Sequence, residues 1–532
     1  MKTNIKILAA SLIAAGFGLS ACQDLDTLPG TQYVSPEIKE DAISRNPELA
    51  AAGVVGISST MKQYQRVYAN HIDFGWPSVM LISDSSSPDL VGLNTGYNWF
   101  SQAGDYSFGN NNNYMCNLVW YNAYKVILSS NDVLKTVSAD TDNKELMLYA
   151  AQAFANRGYM YFQLAQYFQY TYKGNESLPC VPILTEENAD QAATEGCARS
   201  TVQEVYDQAI NDVTTAIDLL TKSGLPLTTI ANAGEKRFVS LGTAYGIRAR
   251  INLVMNKWAE AAADARAAIN NSGAVPASVE QVSVPSFWTS SDKNWMWCIY
   301  IEPNDRIVTS QIVNFPSHMG SLNYGYASVG AWRRINKALF NSIPATDVRK
   351  GWFLDENGVS ANINANQQAF LNGNGAIPYT QVKFGPYENV INTTTNSSDV
   401  PLMRVEEMYL VEAEATAMAG NAAAGKSLLE NFVKTYRNPS YTCSASTPAD
   451  VQEEVWMQRR VELWGEGFAL TDLFRLNKGI DRRGGGWPTE WVYNVPAPLK
   501  PYLIPQNEMQ NNSKIGDNNE TWNKPAPVDD FE

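Results

Sequence analysis

Residues 146–168, LMLYAAQAFANRGYMYFQLAQYF, constrain the fold of this chain most, because they predict one long helix. Spacings of three and four residues place Ala151, Phe154, Gly158 and Phe162 on one face of that helix. Small residues on the face let a neighbouring helix approach closely, and the rings fill the space beside them. A helix this apolar and aromatic must be buried against other helices, so the sequence predicts a mostly α-helical protein.

Several other segments have helical periodicity and form candidate pairs with short connections. They are residues 118–137 with 144–170, 201–220, 240–255 with 257–271, and 403–419 with 422–436. The Ala-rich segment 257–271 is typical of tetratricopeptide repeats, but the pairs lack the regular period of about 34 residues. We therefore expect an irregular tetratricopeptide-like helical-hairpin scaffold. A further helix is predicted at 48–68 and a charged one at 449–465, whereas residues 71–113 look loop-rich.

The longest segment without a clear helical pattern is residues 273–401, where many aromatic residues stand among Gly, Asn and Ser. One run inside it, WMWCIYIE at 295–302, reads as a buried strand. We expect a loop-rich, mixed α/β insertion lobe on the helical scaffold. Irregular backbone held by a rigid scaffold often carries function.

The amino terminus has the features of a bacterial lipoprotein signal. Lys2 and Lys6 precede an apolar stretch, residues 7–19, that is too short to span a bilayer comfortably. Leu-Ser-Ala-Cys at 19–22 is a lipobox, which predicts cleavage before Cys22 and lipid attachment to Cys22. The alternatives are an ordinary signal peptide or an uncleaved membrane anchor. Several acyl chains would hold the protein firmly on a membrane.

The composition excludes some partners. The formal net charge is −14 at pH 7, so the general field of the protein disfavours nucleic acid. Besides Cys22 the chain contains an odd set of cysteines, which cannot all pair with one another. Cys180 and Cys197 are the closest of these along the chain and flank a polar loop, so they are the candidate disulfide.

Several motifs, taken in order, resemble the SusD/RagB family. They are the lipobox, AQAFANRGYMYFQLAQYF followed by PCVPIL, RVEEMYLVEAEA at 404–415, RRVELWGEGFALTDLFRLNKG at 459–479, and YLIPQNEMQNN at 502–512. The sequence departs from many relatives at Ala469-Leu470-Thr471, where larger or aromatic residues are common. The departure bears on local packing.

The resemblance implies an outer-membrane surface lipoprotein with four tetratricopeptide-like units. Such a protein sits as a lid on a SusC-type TonB-dependent barrel and captures a nutrient, either an oligosaccharide or an oligopeptide. The acidic residues after Cys22 look like an export signal to the outer face. The predicted organisation is signal peptide 1–21, lipid-anchored tether 22–47, amino-terminal helix and aromatic loops 48–113, helical pairs 114–272, ligand-binding insertion 273–401, and carboxy-terminal pair with closing helices 402–532.

Catalysis has little support in the sequence. The chain has only two histidines, His71 and His318, and none of the common nucleophile, phosphate-loop or dinucleotide motifs. An acidic and basic cluster near the end is interpreted as ion pairs that fix the last helices: Arg459, Arg460, Glu462, Glu466, Asp472 and Arg475. We therefore predict no enzyme activity, no cofactor and no metal site. A structural or adhesive surface protein and a surface hydrolase with two carboxylates remain alternatives.

The aromatic loops are the candidate ligand site. Flat rings can cover the apolar faces of sugars or of peptide side chains, while Asn and Arg bind the polar groups around them. Tyr97-Asn98-Trp99 combines both elements in three residues. By position, the resemblance also points to the middle insertion. The predicted ligand-binding residues are Trp76, Tyr97, Asn98, Trp99, Tyr324, Tyr326, Trp332 and Arg333. The alternative for each tryptophan is a place in the core of the lobe.

Overall fold

A computed structural model of the chain describes residues 36–107 and 109–531, with side chains from residue 38 onward. The chain divides into two compact units, residues 1–47 and 48–532. In the first unit, the described part contains helix α1 (Pro36–Arg45), in a segment for which the sequence predicted an irregular tether. Cys22 lies outside the described residues, so the lipid attachment stays a prediction, as do the domain boundaries.

The second unit consists mainly of α-helices. In its first half they are α2 (Ala51–Thr60), α3 (Trp76–Ser85), α4 (Ser101–Gly104), α5 (Tyr114–Leu134), α6 (Lys144–Phe168), α7 (Ala189–Glu195), α8 (Val202–Ser223), α9 (Leu241–Val254) and α10 (Trp258–Ser272). In its second half they are α11 (Val279–Val282), α12 (Arg306–Thr309), α13 (Phe315–Met319), α14 (Lys337–Ser342), α15 (Ala365–Gly373), α16 (Val405–Met418), α17 (Ala422–Tyr436), α18 (Pro448–Glu462), α19 (Ala469–Arg475) and α20 (Gln506–Asn511).

The long helices pack as neighbouring pairs, which confirms the predicted mostly helical, hairpin-based fold. Helix α5 packs on α6, α6 on α8, α9 on α10, and α16 on α17, while α10 also packs on α16 and so links the two halves. No helix in the described part of the chain is both long enough and apolar enough to cross a membrane.

Helix α6 is buried along most of its length, as its sequence predicts. It crosses α8 most closely at Gly158, where an added Cβ would lie 2.8 Å from Val213 Cγ2 and 2.9 Å from the Ala209 carbonyl oxygen. Helix α8 begins with the capping box that the sequence indicates, because Thr201 and Glu204 bond each other's backbone N–H groups. The small residue at position 158 therefore sets the distance between the two helices.

Three short antiparallel sheets join segments that are distant in the sequence. The strands are β1 (Leu90–Val91), β2 (Trp295–Ile299), β3 (Arg334–Ile335), β4 (Val400–Arg404), β5 (Ile480–Asp481) and β6 (Asn494–Val495), paired β1 with β3, β2 with β4 and β5 with β6. Strand β2 is buried at every position, as the WMWCIYIE run predicts. Strand β4 occupies the start of the predicted helix 403–419, so α16 begins at Val405.

The predictions for residues 48–85 are partly wrong. Helix α2 ends at Thr60, and the unpredicted helix α3 follows. Every residue of α3 is buried, the polar residues Ser78, Ser83, Asp84 and Ser85 included, so its polar positions do not mark a solvent-facing side with a helical period. The chain turns back between the two helices at Gly75, whose φ is +88° and where a Cβ would lie 2.3 Å from the Met61 carbonyl oxygen.

The described cysteines all carry free thiols in this structure. Cys180 is buried and Cys197 is half-buried, and the candidate disulfide between them is not formed. Burial raises the pKa of the Cys180 thiol to about 12, so this group is not a reactive thiolate at neutral pH.

Candidate functional site

Several aromatic side chains converge on one surface of the second unit. We call the group formed by His71, Tyr97, Trp99 and Tyr326 the ring platform. The Tyr326 ring centroid lies 6.2 Å from that of Trp99 and 6.4 Å from that of Tyr97, and His71 lies 4.8 Å from Trp99. Tyr97 is 53% exposed and Trp99 is half-buried. The platform therefore presents a ring surface to solvent.

The pairing of β1 with β3 explains why residues so far apart in the sequence meet here. Leu90 pairs with Ile335, and Val91 pairs with Arg334. The chain leaves β1 into the loop that carries Tyr97 and Trp99, and it reaches β3 from the loop that carries Tyr326. The two loops therefore lie on the same side of one ladder.

Asn98 shapes the first loop. Its side-chain amide donates to the Leu93 carbonyl oxygen at 2.9 Å, and its Oδ1 accepts from the Phe100 N–H at 3.1 Å. Asn98 is only 4% exposed. Its role in this structure is to hold the turn between the two platform rings, as Asn commonly does in loops.

Gly325 shapes the second loop. Its φ is +155°, and an added Cβ would lie 2.3 Å from Ser317 Oγ. This close approach to helix α13 brings the Tyr326 N–H to 3.3 Å from Ser317 Oγ. Tyr324 lies two residues before Tyr326 and is 37% exposed, so it extends the aromatic surface at the edge of the platform.

A histidine stack supports the platform from below. His318 is stacked against Tyr326 at 4.9 Å and against Phe74 at 5.4 Å, and its Nε2 lies 2.9 Å from the His71 carbonyl oxygen. His71 Nδ1 and the Tyr326 hydroxyl are hydrogen-bonded. Burial lowers the pKa of both imidazoles, and that of His318 falls well below its usual value. Both rings are therefore neutral at pH 7.

Arg333 lies beneath the same platform and is buried. It donates to Asn98 Oδ1 at 3.0 Å and to the His318 carbonyl oxygen at 2.9 Å. Among the described residues it forms no ion pair with a carboxylate, and its Nη2 has no hydrogen-bond partner. Burial lowers its pKa to about 10, so it stays charged at neutral pH. Arg333 thus ties the two platform loops together.

Some of the predicted ligand-binding residues are not at this surface. Trp76 is 2% exposed at the start of α3, where it meets Tyr159 edge-on. Trp332 is 3% exposed and packs in the lobe core with Leu322 and Leu371. Arg333 and Asn98 are buried as described above. Tyr97, Trp99, Tyr324 and Tyr326 remain accessible, and ligand contact by any of them stays a prediction.

His71 is not among the ligand-binding residues predicted from the sequence. There it is a candidate only for catalysis or metal binding, for which two histidines offer little. Its position among rings and amides, in the same loop-rich region as Trp99, was the available signal. In the structure, the His71 ring packs against the rings of Trp99 and Tyr326.

The carboxy-terminal charged cluster forms buried ion pairs, as interpreted from the sequence. Glu462 pairs with Arg404 at 3.0 Å and with Arg437 at 2.7 Å. Burial alone would raise the pKa of Glu462, but the arginines around it hold that pKa well below its usual value. Further pairs include Arg404 with Glu466, Arg459 with Asp472, Arg475 with Glu414, and Arg460 with Asp89. These carboxylates are engaged in holding the last helices to the scaffold.

The chain matches two models of one protein family and many solved structures. Residues 81–233 match the model described as "Starch-binding associating with outer membrane", of the SusD-like type, and residues 355–527 match the SusD family model, SusD_RagB. No curated protein matched.

The solved structures share the fold at low sequence identity. A SusD-like carbohydrate binding protein from Bacteroides vulgatus has a TM-score of 0.70 at 22% identity, with 88% of this chain and 96% of that chain covered. A SusD superfamily protein from Bacteroides thetaiotaomicron has a TM-score of 0.69 at 20% identity, with 89% and 99% covered. One from Parabacteroides distasonis has a TM-score of 0.67 at 18% identity, with 90% and 99% covered. The solved structures show the shared fold, and the family matches over residues 81–233 and 355–527 show that the chain belongs to the SusD/RagB family.

Proposed function

We propose that this chain is a cell-surface lipoprotein that binds a nutrient glycan on the ring platform and delivers it to a SusC-type TonB-dependent barrel. The observation that carries the proposal is the convergence of Tyr97, Trp99 and Tyr326 from two distant loops on one accessible surface. A buried cation and a neutral histidine stack beneath them hold this arrangement. Such preorganisation lowers the cost of ligand binding.

The chemistry of the platform suits a neutral glycan. The ring faces can cover the apolar C–H faces of sugar units, and the hydroxyls of Tyr97, Tyr324 and Tyr326 can bond the hydroxyl rim. Both histidines of the site are neutral at pH 7, and the chain as a whole carries a net charge of −14, which repels anionic ligands. The words "starch-binding" and "carbohydrate binding" in the matched descriptions favour glycan over the alternative, an oligopeptide.

The anchor and the partner follow from the amino-terminal motif and the family. Lipid on Cys22 would hold the chain at the outer membrane, and the acidic residues that follow would direct it to the outer face. A SusC-type barrel is the partner that would take the captured ligand. This part of the proposal rests on the sequence, because residues 1–35 are outside the described structure.

We propose binding without turnover. The carboxylates at the end of the chain are occupied by arginines. His71 Nδ1 bonds the Tyr326 hydroxyl and His318 Nε2 bonds the His71 carbonyl oxygen, so these two nitrogens do not contact a Ser or Cys nucleophile. A structural or adhesive protein would make the platform a protein contact. A surface hydrolase would need a free pair of carboxylates beside it.

Isothermal titration calorimetry of the chain lacking residues 1–22 tests this function. The panel contains neutral glycans, anionic glycans and oligopeptides, and each glycan that binds is incubated further and analysed for cleavage products. We expect saturable binding of a neutral glycan with no cleavage. Binding of peptides alone would change the ligand class, cleavage would identify a hydrolase, and absence of binding across the panel would favour the adhesive role.

A further inference from the structure

A cavity lies in the insertion lobe and shares no residue with the ring platform. We call it the Trp288 pocket. It has a volume of about 240 Å³ and is lined by residues of the 277–295 segment together with Trp352, Asn389, Arg404 and Arg437. Val284, which lines the pocket, is 50% exposed. Nothing in the function proposed above uses this pocket.

The aromatic walls of the pocket are held in fixed positions. Trp288 is half-buried and meets Tyr387 edge-on at 5.7 Å. Phe287 and Trp352 meet at 5.8 Å, and the Lys383 ammonium lies 4.6 Å from the centroid of each of these two rings. Cation–π contacts of this kind stabilise ring positions. Trp288 is therefore the accessible flat face, and the deeper rings form a rigid wall.

The two arginines that line the pocket, Arg404 and Arg437, offer no free positive charge. Arg404 Nε bonds Glu466 at 2.7 Å and its Nη1 bonds Glu462 at 3.0 Å. Arg437 bonds Glu462 at 2.7 Å and Glu406 at 3.1 Å. Because each guanidinium is already paired with carboxylates, an anionic ligand would have to displace a buried ion pair, which is costly.

Asp292 supplies a free hydrogen-bond acceptor at the wall. Among the described residues, none donates a hydrogen bond to its carboxylate or forms an ion pair with it. Burial raises the pKa of Asp292, and the nearby Lys236 ammonium, which donates to the Asp292 carbonyl oxygen at 2.6 Å, lowers it. A partly buried carboxylate without donors is unfavourable unless a ligand or water satisfies it. The existing cation beside it disfavours a second cation.

The backbone on both sides of the pocket adopts a conformation that such residues rarely take. Phe287 has φ +63° on one side, and Glu388 and Asn389 have φ +53° and +59° on the other. Left-handed conformations are unfavourable for residues with a Cβ and are uncommon for bulky ones. In this structure the turn at Phe287 sends its ring into the core and leaves Trp288 at the cavity. Outliers of this kind cluster at ligand sites.

We propose that the Trp288 pocket binds one neutral sugar ring, with an apolar face against Trp288 and hydroxyl groups on the Asp292 carboxylate. The volume is below the roughly 300–1,000 Å³ of pockets that take drug-sized ligands, so it fits a single ring-sized unit. The paired arginines exclude an anion, and Lys236 disfavours a cation. The pocket is therefore a second carbohydrate site, separate from the platform.

Saturation-transfer NMR and titration with four monosaccharides test this proposal in the chain lacking residues 1–22. The probes are D-glucose, D-galactose, D-mannose and N-acetyl-D-glucosamine, with choline as the cationic comparison. We expect at least one sugar to bind saturably, and both Trp288→Ala and Asp292→Asn to weaken it at least tenfold. Trp258→Ala, which removes a half-buried ring that lines neither the pocket nor the platform, should leave this monosaccharide affinity unchanged.

The other outcomes overturn the proposal. These are absence of saturable binding by all four sugars, unchanged affinity in a folded Trp288→Ala or Asp292→Asn variant, an equal loss of affinity in Trp258→Ala, or binding of choline in place of the sugars. Should Trp288→Ala fail to fold, Asp292→Asn decides, because it keeps the size of the side chain. If no oligosaccharide binds at the platform but a monosaccharide still binds in the Trp288 pocket, the proposed function is rejected and this second site is retained.

Discussion

Arg333 donates a hydrogen bond to Asn98 Oδ1 at 3.0 Å, and this bond joins the residue that precedes β3 to the loop that carries Tyr97 and Trp99. The guanidinium is buried without a carboxylate partner among the described residues, which is an unusual place for a charge. Its lowered pKa, about 10 against 12.5, corresponds to about 3 kcal/mol of unfavourable burial. We infer that this cost is retained because Arg333 positions the platform.

Replacing Arg333 with Met should therefore separate binding from stability. The variant loses two hydrogen bonds but also the unfavourable burial of charge, so we expect the free energy of unfolding to change by about 1 kcal/mol or less. The affinity for the platform ligand should fall about tenfold or more, because the two loops are no longer tied. Urea denaturation and calorimetry measure the two effects.

The neighbouring arginine provides the control. Arg334 donates to the carbonyl oxygens of Pro378 and Gly486 on the other side of the strand and touches no platform loop. Arg334→Met should lower stability and leave affinity unchanged. Equal loss of affinity in both variants would show that any disturbance of β3 weakens binding, which would remove the positioning role from Arg333.

Trp99→Ala tests the platform itself. If stacking on sugar is comparable to stacking of bases on aromatic rings, the variant should lose about 1–3 kcal/mol of binding free energy, or roughly 5- to 150-fold in Kd. Because Trp99 is half-buried, its loss should cost less stability than the roughly 3–5 kcal/mol of a core tryptophan. Titration and thermal melting report the two quantities.

Two other tryptophans provide controls for this prediction, one for stability and one for binding. Trp297 is 0% exposed, so Trp297→Ala should show the full core penalty. Trp258 is half-buried at the start of α10, away from the platform, so Trp258→Ala should bind as the wild type does. A Trp99→Ala melting temperature as low as that of Trp297→Ala, or wild-type affinity in a folded Trp99→Ala variant, would remove Trp99 from the site.

The sequence predicts the scaffold better than the site, for a physical reason. Helix α6 and the cap at Thr201 depend on neighbours within a few residues, so local patterns contain the information. Helix α3 is buried on every side, its polar residues included, so its periodicity is hidden. The end of helix α2 at Thr60 depends on the close approach of Gly75 to Met61 when the chain turns back. No local pattern in the sequence indicates this approach.

The site depends on contacts between distant segments. Tyr97 and Trp99 stand out locally as rings in a polar turn, and they do lie at the surface. Trp332 and Arg333 follow a similar loop, yet the pairing of Leu90 with Ile335 turns both inward. That pairing joins residues 245 positions apart (335 − 90) and has no signature in the sequence, so composition alone could not separate platform rings from core rings.

Gly158 gives a direct test of the α6–α8 contact. Gly158→Leu should overpack the contact with Val213 and the Ala209 carbonyl and cost on the order of 1–3 kcal/mol of unfolding free energy. Gly56 lies in α2 with nothing within 4 Å of an added Cβ, so Gly56→Ala should stabilise the protein by about 0.4–1 kcal/mol. An unchanged melting temperature for Gly158→Leu would mean that the two helices can move apart at little cost.

The lipid anchor can be tested in cells. Cys22→Ala should abolish acylation, and the protein should then leave the outer-membrane fraction when the transporter gene is absent. Fractionation with metabolic lipid labelling measures both effects. Cys197→Ala changes a half-buried thiol far along the chain and should stay in the membrane fraction. Membrane retention of an unlabelled Cys22→Ala protein would contradict the anchor.

Asp84 should make stability depend on pH between about 4 and 7. Its buried carboxyl accepts the N–H groups of Gly467 at 2.8 Å and Ala469 at 3.2 Å, and burial raises its pKa from 3.8 to about 7. Below pH 4 the group is protonated in both states. As the pH rises to 7 the unfolded chain ionises first, so the contribution of Asp84 to folding becomes less favourable, by about 4 kcal/mol in total.

Asp84→Asn removes this titration and keeps an acceptor oxygen for one of the two N–H groups. The stability of the wild type minus that of the variant should therefore fall as the pH rises from 4 to 7 and level off above 7. Urea denaturation of both proteins at several pH values measures this difference, in which the other titrating groups largely cancel. A difference that is flat over this range would mean that Asp84 is ionised in the folded protein, stabilised by the N–H groups of Gly467 and Ala469 and by Lys383.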